Sequence, residues 1–196
     1  MPKAVERDRL ELALELALGG VLWSSKSWSH PDTTHAFARA EQLAEKLGET
    51  YQLVVVQRGS VISALGSGQF RLAHKFAERM LLAAERDGGR ASLCAAHVLL
   101  GQALTWRAQY VEAQKHLELA SSYYDEDDPS DLALTGLDGR ALAAIVVLLL
   151  GFPDRARQFM QVGLRQAEHR DDPFFLSCAH VGRNVLRTSP RLGRYP

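Results

Sequence analysis

The sequence has little cysteine, no excess of charge of either sign and no apolar run long enough to cross a membrane. Its two cysteines, Cys94 and Cys178, lie in apolar helical patterns; they do not form a disulfide framework or a zinc motif, and we interpret both as buried thiols. The 23 basic and 23 acidic side chains cancel, so global charge predicts no nucleic-acid partner and no membrane partner. The longest apolar run, residues 141–150, has about half the length of a membrane-spanning helix. Acidic residues near the start of the sequence exclude a signal peptide, and a cytoplasmic protein is expected.

What the sequence does contain is a repeat. Residues 100–120 read LGQALTWRAQYVEAQKHLELA, and small or apolar residues return in this stretch at helical spacing. Steps of 40 residues backwards and of 43 residues forwards lead to similar patterns, in which Val21, Val61 and Ala144 are the counterparts of Gly101. A period of this length is typical of stacked helical hairpins, each of which buries its remaining apolar surface against the next.

Glycine, proline and aspartate mark the ends of these units, and no strand pattern competes with the helical one. The predicted fold is therefore all-α, a solenoid of about four helical hairpins followed by a C-terminal capping helix. A single domain is expected over residues 1–187, with a tail at 188–196. The predicted helices span about residues 4–26, 31–47, 50–66, 69–87, 90–107, 110–125, 130–150 and 153–170, and the cap about 174–187.

Residues 100–120 are similar to the tetratricopeptide (TPR) repeat consensus, L-G-x-x-x-x-x-x-A-x-Y-x-x-A-x-x-x-L-x-x-A. The segments 12–49, 116–125, 135–139, 148–156 and 173–179 further resemble the helical-repeat region of large bacterial signalling ATPases, often fused to adenylate/guanylate cyclase or transcriptional-regulator domains. The resemblance implies a protein–protein interaction scaffold or adaptor in bacterial signalling. Since the sequence has no G-x-x-x-x-G-K-[ST] phosphate loop, the resemblance implies no ATPase or cyclase activity for this chain.

The residues that could carry chemistry do not form a catalytic pattern. None of the seven histidines forms an H-x-x-x-H or H-E-x-x-H pair. The carboxylates within residues 123–131 are consecutive, unlike the alternating ligands of a calcium loop. No motif in the sequence supplies a nucleophile together with an activating base. We therefore expect no enzyme activity, no cofactor and no metal.

In a TPR superhelix the first helix of each hairpin lines the concave face. Counting from the Gly101 positions predicts a mostly apolar groove that lacks the ring of donors of a carboxylate clamp. Such a groove suits an amphipathic helix, and Trp106 is the best anchor candidate. The predicted groove residues are Leu22, Arg58, Ile62, Val98, Gln102, Thr105, Trp106 and Ile145.

The sequence leaves several interpretations open. The groove residues could instead pack within a tight superhelix that has no groove. The module could be a sensor whose groove takes a peptide or a small ligand and thereby controls a partner ATPase, cyclase or transcription regulator. A homodimer is also open, because apolar residues near 174–185 lack a polar cover.

Overall fold

The computed structural model describes residues 2–26, 30–125, 127–128 and 131–170, together with Leu176, His180 and Asn184. Throughout these residues the regular structure is α-helical, which confirms the predicted all-α class. The predicted bounds of the eight helices agree with the structure to within two residues, whereas the predicted cap at 174–187 lies outside the described residues except for Leu176, His180 and Asn184. The helices are α1 (Pro2–Ser25), α2 (Pro31–Leu47), α3 (Thr50–Gly66), α4 (Phe70–Asp87), α5 (Arg90–Trp106), α6 (Tyr110–Tyr123), α7 (Asp131–Leu149) and α8 (Pro153–Arg170).

Consecutive helices pack in pairs, α1 with α2, α3 with α4, α5 with α6, and α7 with α8. Each pair also contacts the next, through α2 with α3, α4 with α5, and α6 with α7. The first helices of successive pairs touch as well, α3 with α5 and α5 with α7. This is the stack of helical hairpins that the period of about 40 residues predicts.

Three hairpins share one three-residue turn. In each, a residue with positive φ stands at the middle of the turn, and these are Gly68 (φ 71°), Ala108 (φ 58°) and Gly151 (φ 91°). The amide of each donates to the carbonyl three residues before it, as from Ala108 to Thr105 at 3.0 Å. A small residue at this position is needed because a side chain is strained in the left-handed region.

The first hairpin departs from this plan. Five residues connect α1 to α2, where three connect the other pairs. Gly19 faces Phe37 on α2 as Gly101 faces Leu117 on α6: an added Cβ would lie 2.8 Å and 2.7 Å, respectively, from those side chains. The structural counterpart of Gly101 in α1 is therefore Gly19 and not Val21, so the simple 40-residue step is wrong by two residues in this unit.

The core follows the middle of the stack. Eleven of the 17 residues of α5 are buried, whereas in α1 only Asp8, Leu12 and Gly19 are buried among the described side chains. Ionic contacts also hold α1 to α2: Lys46 Nζ lies 2.5 Å from Asp8 Oδ2, and Arg39 Nε donates to Glu11 Oε1 at 2.7 Å. Hydrogen bonds from Lys46 and Arg7 lower the pKa of Asp8.

Candidate functional site

The predicted groove residues fall into a covered part and an open part. On α5, Val98 is 1% exposed and belongs to the core. The reason is Gly139 on α7, where an added Cβ would lie 2.5 Å from Val98 Cγ2, so the missing side chain lets α7 lie directly on Val98. Contrary to the prediction for this residue, a partner cannot reach Val98 in this arrangement.

The open part lies over the last turns of α5. Gln102 and Thr105 are half-buried, and Trp106 is 58% exposed. Thr105 Oγ1 donates to the carbonyl oxygen of Gly101 at 2.7 Å. Because its hydroxyl is used within the helix, the methyl group is the part of Thr105 that remains for an apolar contact. Because α3, α5 and α7 are all first helices of their hairpins, their carboxyl ends lie along the same edge of the stack.

The neighbouring first helices contribute the other predicted residues. Arg58 and Ile62 on α3 and Ile145 on α7 are half-buried. Leu22 on α1 is half-buried too, but the two-residue offset makes it the counterpart of Leu104, a core residue of α5, rather than of Gln102. Leu22 thus stands at a different position of the repeat from the one that the sequence count assumed.

Apolar side chains at the hairpin turns extend this open part. Trp106 stacks on Phe70, the first residue of α4, with ring centroids 5.6 Å apart and planes 8° from parallel. Leu149, the last residue of α7, and Phe152, the last residue of the turn that follows it, are both more than half exposed. We call these four residues the turn-end patch: Phe70, Trp106, Leu149 and Phe152.

The sequence analysis singled out Trp106 as the anchor, and it did not find the two phenylalanines of the turn-end patch. The available signal was an aromatic residue next to the glycine of a turn: Phe70 stands two residues after Gly68, and Phe152 directly follows Gly151. Arg71 and Arg107 follow the two stacked rings in the sequence, and among the described residues neither guanidinium lies in an ion pair. Each of the two stacked rings of the turn-end patch is thus followed in the sequence by an arginine.

A second cluster joins α5 and α6 in the third hairpin. His97 Nδ1 lies 3.0 Å from His116 Nδ1, and the His97 ring also stacks on Tyr123 with centroids 5.8 Å apart. Burial, followed by the neighbouring His116, lowers the pKa of His97 to about 4, and burial also lowers the pKa of His116. Since one Nδ1 must accept the proton that the other donates, the contact requires at least one of the two rings to be neutral.

This histidine pair could not be found from helix-face spacing, because its members are 19 residues apart on different helices. In the described part of the chain, no group of three or more side chains is placed to hold a metal ion. Cys94 is buried, its Sγ lies 3.3 Å from the carbonyl oxygen of Ala120, and burial raises the pKa of its thiol to about 12. The prediction of a buried thiol is confirmed for Cys94, while Cys178 lies outside the described ranges.

A cavity of about 150 Å³ lies between α2, α3 and α4, at the junction of the first two hairpins. Glu41 joins the helices beside it: its carboxylate accepts from Gln57 Nε2 at 3.2 Å and from Arg79 Nη2 at 2.9 Å. The polar groups here are used to bind hairpin to hairpin.

Comparison with known proteins identifies the architecture. No protein-family model matches the sequence, and no curated protein matches it either. A solved structure, the apo form of RapI, superposes with a TM-score of 0.75 over 93% of this chain at 15% sequence identity. The chain has the same helical-repeat fold as RapI.

The likeness to RapI covers 49% of that chain, so this protein spans about half its length. At 15% identity the likeness concerns the fold alone. Within the described residues, none of the helices combines the length and the apolarity that crossing a bilayer would need.

Proposed function

We propose that this chain is a non-catalytic protein–protein interaction module, a scaffold or adaptor of the TPR type. The observation that supports it most directly is Trp106, an exposed ring held flat on Phe70 at the open end of the first helices. Aromatic residues that are held rigidly and can still be covered supply much of the binding energy at protein interfaces.

The partner that fits the turn-end patch is an amphipathic helix. An apolar stripe on such a helix would cover Trp106 and the half-buried Ile62 and Ile145, and acidic side chains beside the stripe would meet Arg71 and Arg107. The apolar contact would supply affinity, while the charges would select the partner and speed its association. Because the overall charge is zero, we propose no nucleic-acid partner.

We place the module in the cytoplasm, in bacterial signalling, on the strength of the resemblance to the helical-repeat regions of signalling ATPases. The alternative is a sensor module, in which a peptide or a small ligand in the same position changes the activity of a partner ATPase, cyclase or transcription regulator. The two functions differ in their effect on the partner: an adaptor recruits its partner, whereas a sensor changes the partner's activity when the ligand is added.

The test is a pull-down from an extract of the source cells, with mass spectrometry as readout, using the native chain and Trp106→Ala. Leu119→Ala is the matched control, since Leu119 is an exposed apolar residue on the second helix α6. Circular dichroism should show the same helix content for all three chains.

We expect a protein that the native chain and Leu119→Ala recover and that Trp106→Ala loses. A helical peptide from that protein should then shift tryptophan fluorescence in the native chain and not in Trp106→Ala. If all three chains recover the same proteins in equal amounts, the turn-end patch is not a binding site and the proposal is overturned.

A further inference from the structure

The face of α1 that points away from α2 is apolar and exposed. Its large side chains are Leu10, Leu14, Leu18 and Val21, which are 62%, 62%, 48% and 66% exposed. Steps of four, four and three residues place them in one stripe along the helix. Ala17 lies in the same stripe, whereas Glu11 and Glu15, the charged residues between Leu10 and Val21, do not belong to this row of steps. We call these four large side chains the α1 stripe.

The other hairpins show what this face is for. With Gly19 aligned to Gly101, the counterparts of the α1 stripe on α5 are Ser92, Ala96, Leu100 and Ala103, none of them more than 4% exposed. Each hairpin in the stack uses this face to contact the hairpin before it, and for α5 two contacts show this directly. Ala103 packs with Ala64 and Ala73 of the preceding hairpin, and Ser92 Oγ donates to Asp87 Oδ2 at its end, at 2.6 Å.

The element that covers this face elsewhere is an antiparallel helix. Short connections make α2 antiparallel to α3, and α4 antiparallel to α5. A two-fold axis perpendicular to α1 supplies the same arrangement, because it brings the α1 helix of a second copy alongside in the opposite direction.

The α1 stripe is complementary to itself in that arrangement. With the axis near residue 16, Leu10 lies opposite Val21 of the second copy, and Leu14 lies opposite Leu18. Every member of the stripe thus meets an apolar side chain, and no charge is buried. We propose that two copies of this chain associate through α1, antiparallel, with the α1 stripe as the core of the interface.

The small size of the interface limits the affinity of the two copies for each other. Stable dimers bury about 800 Å² on each partner, which is more than four side chains on one helix can provide. The dimer should therefore be weak and should dissociate on dilution, through a range of about micromolar to hundreds of micromolar. This interface is separate from the turn-end patch, so either proposal can fail without the other.

Sedimentation equilibrium over this concentration range is the first test. We expect the native chain to change from monomer to dimer, and Leu14→Glu/Leu18→Glu to remain monomeric, with a dissociation constant raised at least about tenfold. The matched control is Leu82→Glu/Leu119→Glu, which places the same charges on exposed leucines of α4 and α6 and should dimerise as the native chain does. A native chain that stays monomeric, or a control that is equally monomeric, overturns the proposal.

Complementary charges test the antiparallel pairing. Leu10→Lys and Val21→Glu should each weaken self-association, and an equimolar mixture of the two should form a heterodimer, since the new lysine then faces the new glutamate. A parallel mixed pair would place the new lysine opposite Leu10 and the new glutamate opposite Val21, so it would gain no ion pair. Failure of the mixture to associate more tightly than either variant alone would exclude the proposed geometry.

Discussion

The first and third hairpins are built on the same plan, yet their first helices have opposite environments. In α5, residues on almost every side are buried, because α4, α6 and α7 all pack against it. In α1 the side toward α2 is buried, and the equivalent of the face that α5 turns to the preceding hairpin carries exposed leucines. The difference teaches that a helix in such a stack is stabilised by its neighbours on both sides and not by its own hairpin alone.

The largest difference in stability between the two hairpins should appear when equivalent leucines are replaced by alanine. Leu100→Ala removes a 4% exposed side chain from the centre of the stack and should lower the free energy of unfolding by about 3 kcal/mol. Leu18→Ala alters the matching position on α1 and should change the free energy of unfolding by less than about 0.5 kcal/mol. Urea denaturation of dilute monomer measures both. Equal losses would show that α1 is buried in solution as deeply as α5.

The second effect concerns the histidine pair, which the third hairpin has and the first lacks. The folded pKa of His97, about 4, is below its ordinary value of 6.5, so the unfolded chain binds more protons in this window. The contribution of His97 to stability should therefore be almost complete above about pH 6.5 and should fall as the pH drops towards 4, by about 2 kcal/mol between pH 7 and pH 5.

The control for this prediction is His97→Gln, in which the shared proton is lost. Its midpoint temperature in thermal denaturation should be lower than that of the native chain at pH 7. The difference between the two midpoint temperatures should be smaller at pH 5. An unchanged gap at the two pH values would show that the pair does not cause the acid sensitivity.

The smallest effect concerns the turn of the third hairpin. Ala108 has a φ of 58°, a conformation that costs an alanine about 1 kcal/mol and a glycine almost nothing. After the greater flexibility of unfolded glycine is subtracted, Ala108→Gly should stabilise the chain by about 0.5 kcal/mol. Gly68→Ala, at the equivalent turn, should have the opposite sign. The midpoint temperatures of thermal denaturation of the two variants test these opposite predictions. A lower midpoint for Ala108→Gly than for the native chain would contradict the prediction.

Much of the fold could be predicted from the sequence because its signals are local. Pro31 and Pro153 begin helices, and Gly48 and Gly88, both with positive φ, end them. The period of about 40 residues adds the order in which the hairpins stack. These features depend on neighbouring residues in the chain, so counting along the chain recovers them.

The same count did not yield the candidate site in full. It placed Leu22 in the groove because it could not register that the first connection is two residues longer. It placed Val98 on an open face because nothing in α5 shows that Gly139, 41 residues later, lets α7 cover it. The stack of Phe70 on Trp106 and the contact of His97 with His116 join different helices, so periodicity within one helix cannot predict them.

Local composition was thus enough to specify the helices, their caps, their turns and the repeated hairpin, because backbone conformation depends on residues a few positions apart. Which faces are covered and which stay open was decided by packing between hairpins, through single small residues such as Gly101 and Gly139 that set how closely two helices approach. Burial depends on the neighbour in space, and for that reason α1 and α5, alike in sequence pattern, differ in what they leave exposed.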